Sequence, residues 1–481
     1  MNVLLIKAPY RDVYGPIKMA AGNYFLLGLG YIGAYLRQNG HSVAILDPEA
    51  EGLSDDVLVS KIKSYKPGIV GLSATTPDFA SALKIAELVK KNTHAFTLLG
   101  GIHASSLPEY TITNYADKFD AVCIGEGELT MLEVCSFLEG RKESLSQVQG
   151  LCFKKDGEII RTGPRPFIED LDNLPYPARD LVDLSLYRPH AFNFRKGKTA
   201  TIITSRGCPF RCIFCASKLS LGGKFRARSP DSVLKEIHHL VDIYGINHIL
   251  IQDDTFTFDV ERAKEICRRI IKSGLKIEWF AFSQISKVDE ELFYLMRKAG
   301  CYCVGFGIES ADVEVLKRMR KANTIEQCEF AVRAAKKHGL KTQCYFIFGS
   351  DGDTQEAALR TIEFARRLSP TLAFFNKLVA YPGTEIFAKH FTGDLNKLDW
   401  KDFVPMGVTA TLANTSLDKA QLQRLVYSAN LKFYFRPSQL WEILKYIRSP
   451  YELKAYIVGG LGLFLQMLMW KKSGKGKQCL D

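Results

Sequence analysis

Short apolar runs alternate with stretches whose apolar residues recur every three or four positions over most of the chain. In the first 140 residues the runs at 3–6, 43–46, 69–72, 96–99 and 121–124 predict strands, and the helical spacings at 27–38, 57–65, 79–90, 108–114 and 129–138 predict the helices between them. Strands alternating with helices imply a parallel, doubly wound sheet. Ligands of such sheets sit beyond the carboxyl ends of the strands, which directs attention to the loops 8–19, 73–78, 100–108 and 125–130.

The pattern breaks between Gly150 and Arg195. A hairpin is predicted around Asp156-Gly157, and Pro164, Pro166, Pro175 and Pro177 suit an extended linker. Alternation then resumes, with strands predicted at 200–203, 249–251, 277–282, 303–308, 343–348 and 373–378 and a helix at 230–244. Six strands with crossover helices predict an incomplete (β/α)6 barrel with its chemistry at the carboxyl ends of the strands. Cys267 falls on the apolar stripe of a helix and reads as core. Beyond residue 395 the pattern is helical, at 417–434 and 439–446, and residues 455–470 are apolar except for Gln466. The expected fold class is therefore α/β. Its divisions are a Rossmann-like domain at 1–145, a hairpin and linker at 146–197, a barrel at 198–394 and a helical region at 395–481.

Composition changes this picture little: 47% hydrophobic and 24% charged residues describe an ordinary folded protein. Twelve cysteines in 481 residues, without a basic and apolar leader, read as reduced thiols in the cytoplasm. Charge is less even. The net charge is +12, and residues 430–481 carry nine Lys or Arg against three acidic residues, a net of +6. Such a tail meets an anionic membrane, nucleic acid or only water.

Residues 204–217 read Thr-Ser-Arg-Gly-Cys-Pro-Phe-Arg-Cys-Ile-Phe-Cys-Ala-Ser, with thiols at Cys208, Cys212 and Cys215 directly after a predicted strand. Three close thiolates suit iron, and a cube held by three cysteines leaves one iron open. A structural zinc site asks for a fourth ligand nearby, and none stands at short spacing. Cys-x3-Cys-x2-Cys with Phe214 before the last thiol resembles the cluster loop of radical S-adenosylmethionine (SAM) enzymes. That resemblance implies a 4Fe-4S cluster on Cys208, Cys212 and Cys215 with SAM on the open iron. It also implies SAM contacts by Phe214, by Asp253 and Asp254 after the second barrel strand, by Glu309 and Ser310 after the fourth, by Gly349 after the fifth and by Tyr381 after the sixth. Beyond the cluster it names no catalytic residue.

Gly71-Leu72-Ser73, Gly100-Gly101-Ile102-His103 and Gly125-Glu126-Gly127-Glu128 resemble the cobalamin-binding domain that precedes the radical module in cobalamin-dependent members of that family. The implied cobalamin contacts are Ser73, Thr75, Gly100, Gly101, His103, Gly125, Glu126 and Gly127. Cobalt-ligating relatives carry Asp-x-His-x-x-Gly after the second strand. This chain has Asp47-Pro48-Glu49-Ala50-Glu51-Gly52 there, so a bound cobalamin is expected to lack a histidine on its lower face.

The two resemblances together cover about residues 1–390 and imply an enzyme that makes a 5'-deoxyadenosyl radical and methylates an unactivated carbon through methylcobalamin. The competing readings are an oxidative cyclase or hydroxylase with the same cofactors and a non-catalytic cobalamin or cluster sensor. Expected partners are a small-molecule or lipid-like substrate and an electron donor such as flavodoxin or ferredoxin, with no nucleic acid. The apolar 455–470 segment beside Lys471, Lys472, Lys475 and Lys477 is expected to touch the inner face of the membrane peripherally.

Overall fold

The computed structural model describes residues 1–17, 22–190, 193, 197–404 and 416–447 and the isolated positions 450, 453, 456, 457 and 460. Its first sheet contains β1 (Asn2–Lys7), β2 (Ser42–Leu46), β3 (Ile69–Ser73), β4 (Phe96–Gly100), β5 (Ala121–Cys123), β6 (Leu151–Lys155) and β7 (Glu158–Arg161). The strand order is β2-β1-β3-β4-β5-β6-β7, and the first five strands are parallel. The order reverses at β1, so the crevice beyond its carboxyl end is a switch point. The hairpin expected in the linker instead extends this sheet, because β6 pairs antiparallel with β5.

Apolar alternation along β1 explains how the sheet is buried. Val3 and Leu5 enter the core beneath the helices Leu27–Gln38 and Glu128–Leu138, whereas Leu4 and Ile6 enter the one beneath Asp55–Tyr65 and Phe79–Asn92. The second of these cores does not end with the sheet. It continues through Ile213 of the cysteine loop, Leu378, Val379, Trp400 and Phe403, so the two halves of the molecule share apolar packing.

After the linker come β8 (Lys198–Ile202), β9 (Ser205–Arg206), β10 (Arg226–Ala227), β11 (Ile246–Ile251), β12 (Glu278–Ser283), β13 (Cys301–Glu309), β14 (Lys341–Phe348) and β15 (Leu372–Lys377). Six of them form a parallel sheet in the order β15-β14-β13-β12-β11-β8, with β8 and β15 as its two edges. This is the open six-stranded barrel that the alternation predicts. Its helices are well specified locally: Pro230–Tyr244 begins with Pro at its first turn and Ser229 accepting from the Ser232 amide, and ends on Gly245 in the left-handed region. Helices Lys419–Tyr434 and Pro437–Leu444 close the described chain, while nearly all of 455–470 lies outside the described residues.

Candidate active site

The cysteine loop hangs from a firmly fixed strand end. Asp253, buried after β11, accepts from the Thr204 amide (2.6 Å), the Thr204 hydroxyl (2.5 Å) and the Ser205 hydroxyl (2.6 Å). Three buried arginines donate to carbonyls of the same segment: Arg179 to Thr201, Arg228 to Ile203 and Arg262 to Thr204. Their charge is partly met by Glu236, which pairs with Arg179 at 2.8 Å and with Arg228. Burial alone would raise the Glu236 carboxyl, yet the two guanidiniums hold it below the ordinary carboxylate range.

Beyond this base the chain turns at Gly207, whose φ of +82° and 2.2 Å approach of a notional Cβ to the Lys224 carbonyl exclude any side chain. Cys208 and Cys212 are half-buried and Cys215 is exposed, and all three thiols are free. Burial raises all three, Cys208 to about 11, so they become ligands by losing protons to a metal. Among the described residues no group of three His, Cys, Asp or Glu side chains is disposed to grip a single metal ion. A cubane asks for a different arrangement, one thiolate on each of three separate irons, and three soft, unbonded donors on one loop fit that demand.

The other strand ends surround this loop. Asp254 is exposed and accepts from Ser217 at 2.5 Å, whereas both oxygens of Asp253 are occupied by the loop base. Glu309 sits at φ +70° and pairs with Lys321 at 2.8 Å. Nothing in the local sequence Arg320-Lys321-Ala322-Asn323 marks Lys321 for this place. Burial acts to lower this ammonium, but Glu309, Cys212 and then Cys215 raise it above its usual value. Ser310 is buried and its hydroxyl meets the Thr361 hydroxyl and the Asp312 amide, so it supports the helix Val313–Arg318. Gly349, at φ +89°, gives its amide to Asp353, and Phe214 and Tyr381 are half-buried, with the Tyr381 hydroxyl on the Phe403 carbonyl.

The corresponding edge of the first sheet is built differently. Gly101 has φ +95° and its notional Cβ would lie 2.5 Å from the Ala74 carbonyl, so the β3 and β4 loops approach through a glycine. Gly127 is needed for packing, with a notional Cβ 2.7 Å from Ile32. A notional Cβ at Gly100 or Gly125 would approach no atom outside its chain neighbours nearer than 3.8 Å. Thr75 is exposed and Ser73 half-buried. His103 is wholly buried, stacked on Phe79 with ring centres 3.9 Å apart and edge-on to Trp400, and burial lowers its ring to about 3. Its Nδ1 lies 3.4 Å from the Thr76 hydroxyl, while Nε2 and the buried Asp78 Oδ1 have no hydrogen-bond partner.

Where cobalt-ligating relatives carry histidine, Glu49 accepts from the amides of Tyr10 and Arg11 and pairs with the Arg11 side chain. Asp47 beside it pairs with buried Lys7 at 2.9 Å. Glu49 thus anchors the loop after β1. A cleft of about 430 Å³ opens beside it, lined by Pro9, Arg11, Pro48 and Leu53 among others. Open glycines, exposed hydroxyls and orphaned buried polar atoms fit a bulky ligand rich in polar side groups.

Glu126 turns away from this edge. It receives Arg206, Arg226 and the Ile168 amide, and its neighbour Glu128 receives Arg206.

Comparison with known proteins agrees with this geometry. Residues 17–135 match the B12 binding domain and residues 202–365 the Radical SAM superfamily. An uncharacterized methyltransferase of Pyrococcus horikoshii is 34% identical, covering 95% of this chain and 96% of its own. An anaerobic magnesium-protoporphyrin IX monomethyl ester cyclase of Rubrivivax gelatinosus is 29% identical, covering 97% and 82%. The fold is shared with the radical SAM methyltransferase TsrM of Kitasatospora setae, solved with cobalamin and a [4Fe-4S] cluster bound (TM-score 0.69, 19% identity, 91% of this chain and 89% of that one). The B12 binding match followed by the Radical SAM match, together with similarity to the Pyrococcus methyltransferase along nearly the whole chain, establishes that this protein belongs to the cobalamin-dependent radical SAM enzymes, whose cofactors are a 4Fe-4S cluster, SAM and cobalamin.

Proposed function

We propose that the enzyme methylates an unactivated carbon of a small or lipid-like molecule. The observation that carries this reading is the end-to-end similarity to a methyltransferase of matching length. When bound, the cluster supplies the electron that cleaves SAM to a hydrogen-abstracting radical, and cobalamin supplies the methyl group. Cys208, Cys212 and Cys215 hold the cluster, and the Lys321 ammonium offsets the negative charge of its thiolates. Asp254 presents a carboxylate to the methionyl ammonium, with Glu309, Gly349, Tyr381 and Phe214 bounding the rest of SAM. Ser73, Thr75, Gly100 and Gly125 face the corrin. Because β6 and β7 belong to the first sheet, in our reading the junction narrows to 162–197 and separates domains 1–161 and 198–394, which is consistent with the matched ranges.

The barrel wall supports the substrate class. Phe282, Gly307, Tyr345, Ile347, Phe374 and Asn376 are the half-buried positions on β12 to β15 and alternate with fully buried neighbours, so they share the inner face. Tyr345 stacks on Phe374 with ring centres 4.9 Å apart, and Phe282 lies at 5.8 Å. An aromatic face of this kind suits a flat or apolar molecule.

Anaerobic reconstitution with iron, sulfide, cobalamin and SAM tests the reaction against a lipid, isoprenoid and peptide panel. Methylation consumes two SAM molecules, so S-adenosylhomocysteine and 5'-deoxyadenosine should accumulate about equally. 5'-Deoxyadenosine without matching S-adenosylhomocysteine would favour the second reading, an oxidative cyclase, which similarity to the Rubrivivax protein supports.

The electron donor in this reading is a flavodoxin or ferredoxin. Among the described residues no helix is long and apolar enough to cross a membrane. We place the tail at the membrane surface, where each basic residue contributes on the order of 1 kcal/mol on an anionic bilayer. Full-length protein should then pellet with anionic vesicles at low salt and a chain ending at Pro450 should not. Failure of both to pellet would make the apolar run core.

A further inference from the structure

The loop that carries the three cysteines leaves the barrel through β9 and returns through β10. These two short strands pair antiparallel, with Arg206 directly opposite Arg226. Opposed residues of such a ribbon project to the same side. Both guanidiniums reach across to one residue of the first sheet's edge. Glu126 Oε1 accepts from Arg206 Nη1 at 2.9 Å and from Arg226 Nη1 at 2.9 Å, and Glu126 Oε2 accepts from the Ile168 amide at 2.7 Å. Glu128 Oε1 takes the second arm of Arg206 at 2.7 Å. All four side chains are buried, at 5% exposure or less. The arrangement is held from outside by aromatic rings, Tyr31 under Arg206 and Phe167 under Arg226, each 4.9 Å from the guanidinium carbon.

Glu126 therefore grips both ends of the neck of the cysteine loop, and it follows Gly125, one of the open glycines facing the corrin edge. We propose that Glu126 and Glu128 are positioning residues that couple the two cofactor sites: the order of the loop 207–225 depends on the corrin-side turn 125–130, and occupancy of that turn by cobalamin tightens the loop. This inference rests on the cobalamin placement given above but not on methyl transfer. Buried charges of this kind are costly to leave unpaired, so loss of one partner releases the others rather than leaving the ribbon in place. Coupling of this kind is reciprocal, so the loaded loop must favour cobalamin by the same factor.

Amide hydrogen exchange read by mass spectrometry, on the anaerobic full chain without cluster or SAM, tests the clamp without turnover. In the apo chain Glu126→Gln should speed exchange across 204–226 at least tenfold and leave β13 and β14 unchanged. Uniform acceleration, or none, overturns the proposal. Adding hydroxocobalamin to the unaltered chain should slow exchange at 100–130 and, at least threefold, at 204–226. Slowing confined to 100–130 also overturns it. Arg206→Lys keeps the charge but satisfies only one carboxylate. If Glu126→Gln fails to fold, Arg206→Lys serves instead: it should still slow at 100–130 with hydroxocobalamin while 204–226 no longer responds, and a retained response there refutes the coupling. A chain that passes these measurements yet forms no S-adenosylhomocysteine with any substrate would sink the methylation reading alone.

Discussion

The carboxyl edges of the two sheets are built on opposite principles. At the barrel edge, the end of β8 is fixed by hydrogen bonds from within the protein, through Asp253 and three buried arginines, although Arg179 Nε and Nη1 and Arg262 Nη1 are left unmet. At the first sheet, the edge is made of glycines and hydroxyls, and two buried polar atoms, His103 Nε2 and Asp78 Oδ1, are left unmet. Burying an unpaired polar atom costs about 1–3 kcal/mol, and both edges carry such atoms; what separates them is that the base of the cysteine loop at the barrel is finished by the protein's own hydrogen bonds, whereas the glycine turns of the first sheet stay open to a ligand. A small reactive cluster needs exact thiol placement, whereas a large corrin brings many hydrogen-bonding groups of its own.

The largest effect should come from removing the reason for the finished edge. Replacing Cys208, Cys212 and Cys215 together with Ala should abolish reductive cleavage of SAM and leave the melting temperature of the apo chain almost unchanged, because none of the three is in a disulfide or fully buried. Undiminished 5'-deoxyadenosine from that triple variant would remove the loop from the site.

Two glycines divide the unfinished edge. Gly101→Ala forces a side chain into the left-handed region and against the Ala74 carbonyl, which should destabilise the apo chain by about 1–3 kcal/mol and weaken cobalamin together with it. Gly125→Ala meets strain at φ +81° but open space around its Cβ, and should cost about 1–2 kcal/mol while reducing cobalamin affinity disproportionately. Thermal melts and cobalamin absorbance titrations compare them. Equal affinity losses per unit of stability would show that Gly125 does not face the ligand.

The same division explains what was legible in the sequence. Strands and helices followed from periodicity because both faces of each sheet are buried, and β1 sends alternate residues into two cores. The cysteine loop was legible because its ligands are adjacent in the chain. By its glycine turn Glu126 resembles a cofactor contact, but its partners Arg206 and Arg226 lie 80 and 100 residues away, and no local pattern encodes that pairing. Asp253 and Asp254 look alike in sequence, and only the fold turns one into the loop base and leaves the other exposed. Their separate roles are testable. Asp253→Asn presents an amide to three donors and should cost about 1–3 kcal/mol with lower cluster content, whereas Asp254→Asn should leave stability intact and weaken SAM binding about tenfold. Similar iron content and similar SAM affinity in the two variants would contradict the division.

The effect most sensitive to pH concerns the carboxylate whose Oδ1 is unmet. Asp78 follows β3 with 5% of its surface exposed, and burial pushes its pKa up to about 7, opposed by Thr75 and by the Lys7 ammonium; Tyr14 is the other titratable neighbour. In the unfolded chain this carboxyl ionises at its ordinary value of 3.8. Between these values the folded state holds a proton that the unfolded state has released, so the group's contribution to stability is fully present below about pH 4 and is lost as pH rises through 7. Each unit of difference is worth roughly 1.4 kcal/mol at most. Asp78→Asn keeps the shape without the charge, so its melting temperature should exceed that of the unaltered apo chain more at pH 8 than at pH 5. Saturating cobalamin sharpens the test, because its amide side groups offer donors to the orphaned Oδ1 and should shrink the pH 8 advantage of the variant. If cobalamin leaves that advantage untouched, Asp78 belongs to the protein's own interior, and the first sheet's edge is more nearly complete without its ligand than its open glycines indicate.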